Sequence, residues 1–115
     1  MKTIHFVRHG ETEQNKDGIW QGHTNIQLSK IGKAQAKLLS DRLNLKNQTV
    51  FTSDLARAKE TAYFLSDSPT VRENLREINV GDFTGKSVKE TYSNNLDIFD
   101  ALQDDTYVFP NGESV

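Results

Sequence analysis

The chain has 115 residues, 35% of them hydrophobic and 26% charged, with a formal net charge of −2. That size is expected to make one domain, residues 1–115, with a single modest core, and a near-neutral charge without basic runs gives no case for nucleic acid or an anionic membrane as the main partner. The absence of cysteine excludes a disulfide framework and thiolate chemistry and fits a reducing, cytoplasmic setting, while no apolar run approaches the length of a signal peptide core or a membrane span.

In chain order, Thr3 to Val7 reads as a short buried strand. Arg8 to Gln27 is polar, carries Gly10, Gly18 and Gly22, and reads as an active loop rather than a packed element. Ser29 is a candidate N-cap for a helix of about fifteen residues, with Ile31, Ala34, Leu38 and, a turn later, Arg42-Leu43 as its expected core face. Asn44 to Gln48 is a polar connection, and Val50-Phe51-Thr52 a second strand. Ser53 or Asp54 is expected to cap a second helix that buries Leu55, Ala58, Ala62 and Leu65 and ends at Asp67-Ser68-Pro69. Thr70-Val71-Arg72 is a third strand, and Leu75-Arg76-Glu77 leads into a loop marked by Gly81 and Gly85. Ser87 to Leu102 reads as one or two weak helices interrupted at Ser93-Asn94-Asn95. Tyr107 to Gly112 is a loop, and Glu113-Ser114 reads as the opening of a helix. Strands alternating with helices argue for an α/β fold around a parallel sheet, with ligands gathered at the carboxyl ends of the strands.

Arg8-His9 falls at the end of strand one and Ser53-Asp54 at the end of strand two, so the candidate chemistry lies on one sheet edge. A neutral imidazole is a competent nucleophile towards phosphorus. A dianionic phosphate needs positive charge on its oxygens, and the planar arginine fork supplies it. Arg8 is adjacent to His9, Arg57 lies in the first turn of helix two, and that helix's N-terminal amides offer further donors. Glu77 is the candidate acid for the leaving oxygen. His5, His9 and His23 with Glu11 match no zinc spacing. Gly81-Asp82-Phe83-Thr84-Gly85-Lys86-Ser87 resembles a phosphate-cradling loop but is one residue short between the glycines, with Val80 where the first glycine belongs.

Taken together, Phe6-Val7-Arg8-His9-Gly10-Glu11-Thr12, Asn15, Ser53-Asp54-Leu55-Ala56-Arg57-Ala58 with Thr61-Ala62, and Leu75-Arg76-Glu77 with Gly81 and Gly85 form four blocks in order. This pattern resembles the histidine phosphatase superfamily, phosphoglycerate mutase-like, and the resemblance runs from Thr3 to Ser114. It implies a parallel-sheet sandwich with helices on both faces. It implies that His9 is phosphorylated, that Arg8, Asn15 and Arg57 bind the phosphate, and that Glu77 protonates the leaving group and then activates water. No metal or organic cofactor is implied; the partner is a small phosphorylated metabolite. Asn25 stands where the family commonly has aspartate and Gln27 where it has proline, while Pro110, Gly112, Glu113 and Ser114 match the family's Pro-x-Gly-Glu-Ser segment.

The family also carries a second histidine late in the chain, and here no histidine follows His23. The chain therefore reads as the N-terminal portion of the fold, incomplete at its C-terminus: a fragment, a prematurely ended product, or one of two copies completing each other. An open sheet edge and one uncovered apolar face are expected, with self-association through that edge. The family's mutases hold the substrate carboxylate with an arginine pair after the acid. Residues 78–109 here contain no arginine and only Lys86 and Lys89 as basic groups. The expected activity is hydrolysis of small phosphomonoesters; the alternatives are phosphoglycerate mutase chemistry or a non-catalytic, phosphate-binding truncated relative.

Overall fold

The computed structural model describes residues 1–45, 47–94 and 97–115. It contains helices α1 (Glu13–Lys16), α2 (Lys30–Arg42), α3 (Ala56–Leu65), α4 (Val88–Asn94) and α5 (Ile98–Ala101). Strands β1 (Phe51–Thr52) and β2 (Thr70–Val71) pair in parallel, with Phe51 opposite Thr70 and Thr52 opposite Val71. A β1–α3–β2 crossover thus sits at the centre of an α/β arrangement, and α2 packs on α3. No helix among the described residues is long and apolar enough to cross a membrane. The interruption expected at Asn95 and part of the 44–48 connection, Lys46, lie outside the described residues.

Several elements differ from expectation. Thr3 to Val7 is not a strand, and Ile4 and Phe6 are exposed. A parallel strand exists only through its neighbours' backbone groups, and among the described residues none pairs with this segment. The polar stretch after His9 is packed after all. Thr12 caps α1 in a reciprocal capping box, its hydroxyl accepting the Asn15 amide while Asn15 Oδ1 accepts the Thr12 amide. Ser29 caps α2 as expected, accepting the Gly32 amide, but the helix buries Gly32 and Ala36 and leaves Ile31, Ala34 and Leu38 exposed. Small residues let its backbone lie directly against the chain at Gly10 and Glu11, an approach that a stripe of larger side chains prevents.

Neither Ser53 nor Asp54 caps α3. Leu55 holds the N-cap position, and the first helical amide, Ala56 N–H, donates to Asn25 Oδ1 at 2.8 Å. The buried face of α3 does include Leu55 and Ala62, joined by Arg57 and Thr61. Glu113-Ser114 does not open a helix. Asn111, at φ 55°, turns the chain back, so Val108 bridges Ser114 and the Phe109 amide donates to the Glu113 carbonyl.

Ile4 and Phe6 in the Thr3–Val7 segment, Phe51 in β1, Val71 in β2, and Ile31 and Leu38 on α2 are exposed. This matches the expected open edge and uncovered apolar face.

Candidate active site

Arg8, His9, Asn15, Arg57 and Glu77 all line one open cavity of about 890 Å³ at the carboxyl end of β1. Four parts of the chain supply them: the turn after Val7, the short helix α1, the first turn of α3, and the extended stretch after the Glu73–Leu75 turn.

His9 is half-buried, and its Nδ1 lies 2.7 Å from the carbonyl oxygen of Gly10. A carbonyl only accepts, so Nδ1 carries the hydrogen and Nε2 is the unprotonated nitrogen of the neutral ring. Burial pushes the His9 pKa below its ordinary value, and the charges of Arg57 and Arg8 push the same way; the Gly10 hydrogen bond and Glu77 oppose them. The neutral, nucleophilic form is thereby favoured.

The turn is anchored through Thr61. The buried Gly10 amide donates to Thr61 Oγ1 at 3.0 Å, and that hydroxyl donates to the Arg57 carbonyl at 2.8 Å. The backbone beside the imidazole is therefore tied to the first turn of α3.

Arg57 is 2% exposed. Its guanidinium donates to the carbonyls of Gly22 at 2.7 Å and Thr24 at 2.8 Å. Among the described residues no carboxylate lies within ion-pair distance of it. A buried cation needs compensation, and two neutral carbonyls provide only part of it. Burial accordingly lowers its pKa, with Glu77 acting in the opposite sense. The remaining N–H groups of the fork suit an anion.

Arg8 is exposed on the rim, close enough for its charge to act on His9. Asn15 uses Oδ1 in the α1 capping box, which leaves its amide nitrogen as the group it offers a ligand. Glu77 is exposed, with its carboxylate in electrostatic reach of both His9 and Arg57. The neighbouring Arg76 is drawn away from the cavity by Asp54, with Nε donating to Oδ1 at 2.7 Å and a second bond to Oδ2. This fork holds the Asp54 carboxyl down at about 2. The α3 N-terminus is less open than expected, because Asn25 occupies the Ala56 amide.

Three supporting groups carried no expected role. Thr61 stands four residues after Arg57 on the buried face of α3, a polar residue among Ala58 and Ala62, and that placement is a legible signal. Asn25 and His23 act on main-chain atoms 31 and 54 residues away, and no local pattern marks such bonds.

The profile of the histidine phosphatase superfamily (branch 1) matches residues 4–115. The chain is 35% identical to the metal-independent phosphoserine phosphatase of Arabidopsis thaliana, over 96% of this chain and 51% of that protein. It is 34% identical to the 2,3-bisphosphoglycerate-dependent phosphoglycerate mutase of Mesorhizobium japonicum, over 73% of this chain and 46% of that protein. Among solved structures, a mycobacterial glucosyl-3-phosphoglycerate phosphatase with VO3 superposes at a TM-score of 0.85 with 28% identity, covering 92% of this chain and 56% of its own. The chain spans about half the length of the curated relatives it matches.

Proposed function

We propose, from the premise that the chain belongs to the histidine phosphatase superfamily, that it carries the nucleophilic half of a phosphomonoester hydrolase acting on small phosphorylated metabolites. One observation supports this above the rest. The unprotonated Nε2 of His9 belongs to the same cavity as Arg57, a buried cation without a carboxylate partner among the described residues.

In this reading Arg57 and Arg8 bind the phosphate oxygens, with the Asn15 amide nitrogen as a neutral donor. His9 Nε2 attacks phosphorus and forms the P–N bond as the ester P–O bond breaks. Glu77 gives its proton to the departing oxygen. Water then loses a proton to Glu77 and attacks the same phosphorus, the P–N bond breaks, and His9 and inorganic phosphate are regenerated. The charge that a metal ion supplies in other phosphatases comes here from guanidinium groups.

Hydrolysis is favoured over mutase chemistry by the absence of arginine between residues 78 and 109, where a second charged end of the substrate would be held. The cytoplasm is the compartment we assign, on the absence of cysteine. Self-association through the open edge beside Thr3–Val7 and β1 belongs to the same reading; light scattering that gives a monomer at every concentration removes it.

The test of the activity is turnover of an aryl phosphate by the 115-residue chain, with acid-labile phosphate trapped on the protein. Wild type is expected to turn over and to label, and His9→Ala to do neither. Turnover that survives in His9→Ala overturns the mechanism. Vanadate binding to a folded chain without turnover supports the phosphate-binding alternative instead.

A further inference from the structure

We infer that His23 is a positioning residue for Glu77, and that the short loop Gly22-His23-Thr24 sets the spacing between the phosphate-binding arginine and the acid. The inference rests on the role proposed above for Glu77.

The loop faces two ways. Its two flanking carbonyls, those of Gly22 and Thr24, accept from the Arg57 guanidinium at 2.7 and 2.8 Å. The side chain between them turns to the other segment, and His23 Nε2–H donates to the Glu77 carbonyl at 2.7 Å. Because the acceptor is a carbonyl, Nε2 must carry a hydrogen in the neutral as in the charged ring. One three-residue stretch thus holds Arg57 by its main chain and the backbone of Glu77 by its side chain.

A second clamp closes on the same segment. The Asn79 amide donates to Glu113 Oε2 at 2.7 Å, and the Glu113 amide donates to the Asn79 carbonyl at 2.8 Å. Glu113 Oε2 also stands 3.9 Å from His23 Nε2. Glu77 is exposed and lies in an extended stretch between two short turns, so its own packing does little to fix it. The bonds from His23 and Glu113 therefore fix the main chain from which the Glu77 carboxylate extends. A small displacement of a proton donor is costly, since proton transfer requires hydrogen-bond reach of the reacting atom.

The test compares His23→Leu, which removes the donor, with His23→Gln, which returns an N–H near the position of Nε2. Two substrates are used: an alkyl phosphate, whose leaving oxygen needs a proton, and 2,4-dinitrophenyl phosphate, whose leaving group does not. For a reaction through a phosphoenzyme, kcat/KM reports the step that expels the leaving group. His23→Leu is expected to lower kcat/KM for the alkyl ester by roughly tenfold or more, and for the dinitrophenyl ester by no more than about threefold. His23→Gln is expected to recover most of the alkyl activity. Equal losses on the two esters, or no loss on the alkyl ester, overturn the inference. A wild-type chain without turnover counts against the activity and not against this placement, which NMR then tests. Neutral His23 is expected with its hydrogen on Nε2, and the Ile78 amide, whose peptide carries the Glu77 carbonyl, is expected to shift in His23→Leu and return in His23→Gln. A hydrogen on Nδ1, or an Ile78 amide unmoved in His23→Leu, overturns it.

Discussion

Gly10 and Gly32 pack backbone to backbone: a β-carbon built on Gly10 would collide with the Gly32 carbonyl, and one on Gly32 would meet the Glu11 carbonyl and stand 2.8 Å from the Glu11 amide nitrogen. Replacing glycine by alanine inside a helix ordinarily stabilises by about 1 kcal/mol. Gly32→Ala is expected to do the reverse, because the obstructing atoms are main chain and do not swing aside. The expected loss is about 1–3 kcal/mol, read as a lower urea midpoint at unchanged slope. A raised midpoint would show that α2 has room to retreat from the His9 turn.

Thr61→Val keeps the shape of the side chain and removes the hydroxyl that accepts the Gly10 amide and donates to the Arg57 carbonyl. A buried N–H left without an acceptor costs about 1–3 kcal/mol. The expected result is a destabilisation of that order with slower turnover, and near wild-type behaviour for Thr61→Ser. Urea titrations of the two variants check it, and equal stability of Val and Ser variants would contradict it.

Asn25 satisfies the first amide of α3 through Oδ1. Asn25→Ala is expected to cost about 1 kcal/mol. Asn25→Asp is expected to match wild type or gain a few tenths of a kcal/mol, because a carboxylate at a helix N-terminus interacts favourably with the helix dipole. Thermal denaturation of both variants decides the matter.

The depressed His9 pKa predicts a pH dependence. Its folded pKa lies below the ordinary 6.5, so the ring gives up its proton at lower pH than a free imidazole and the acidic limb of the rate profile is expected below that value. The sign for stability follows. Between the two pKa values the unfolded chain binds more protons, so stability falls as the pH drops through that window. Removing positive charge with Arg57→Gln is expected to move the His9 pKa upward. NMR titration of the ring protons checks both statements, and a wild-type His9 that titrates at or above 6.5 contradicts them.

The parts of this structure legible in the sequence are those that depend on local chemistry. Ser29 marked the start of α2 because a hydroxyl at that place satisfies an open helix amide, and the spacing of Leu55 and Ala62 gave α3 its buried side. The five cavity residues were recognisable by type: an imidazole, two guanidinium groups, an amide and a carboxylate in four ordered blocks. What stayed hidden depends on partners. The segment Thr3 to Val7 has strand composition, yet composition supplies no neighbouring backbone to bond with. The buried face of α2 departs from its hydrophobic stripe because close backbone contact selects for small size, and Gly32 and Ala36 are buried for being small. The caps and clamps around Arg57 and Glu77 join residues 31 to 54 positions apart, and their acceptors or donors are main-chain atoms that every residue possesses.

Trp20 is the chain's single tryptophan. Its ring packs 5.9 Å from Phe83 and 6.1 Å from Phe109, its Nε1–H donates to Thr91 Oγ1, and it directly precedes the Gln21-Gly22 corner that receives Arg57. The molecule therefore carries a built-in fluorophore close to the arginine proposed to bind the anion. A vanadate titration followed by emission wavelength and quenching reads the occupancy of the cavity in the unlabelled wild-type chain.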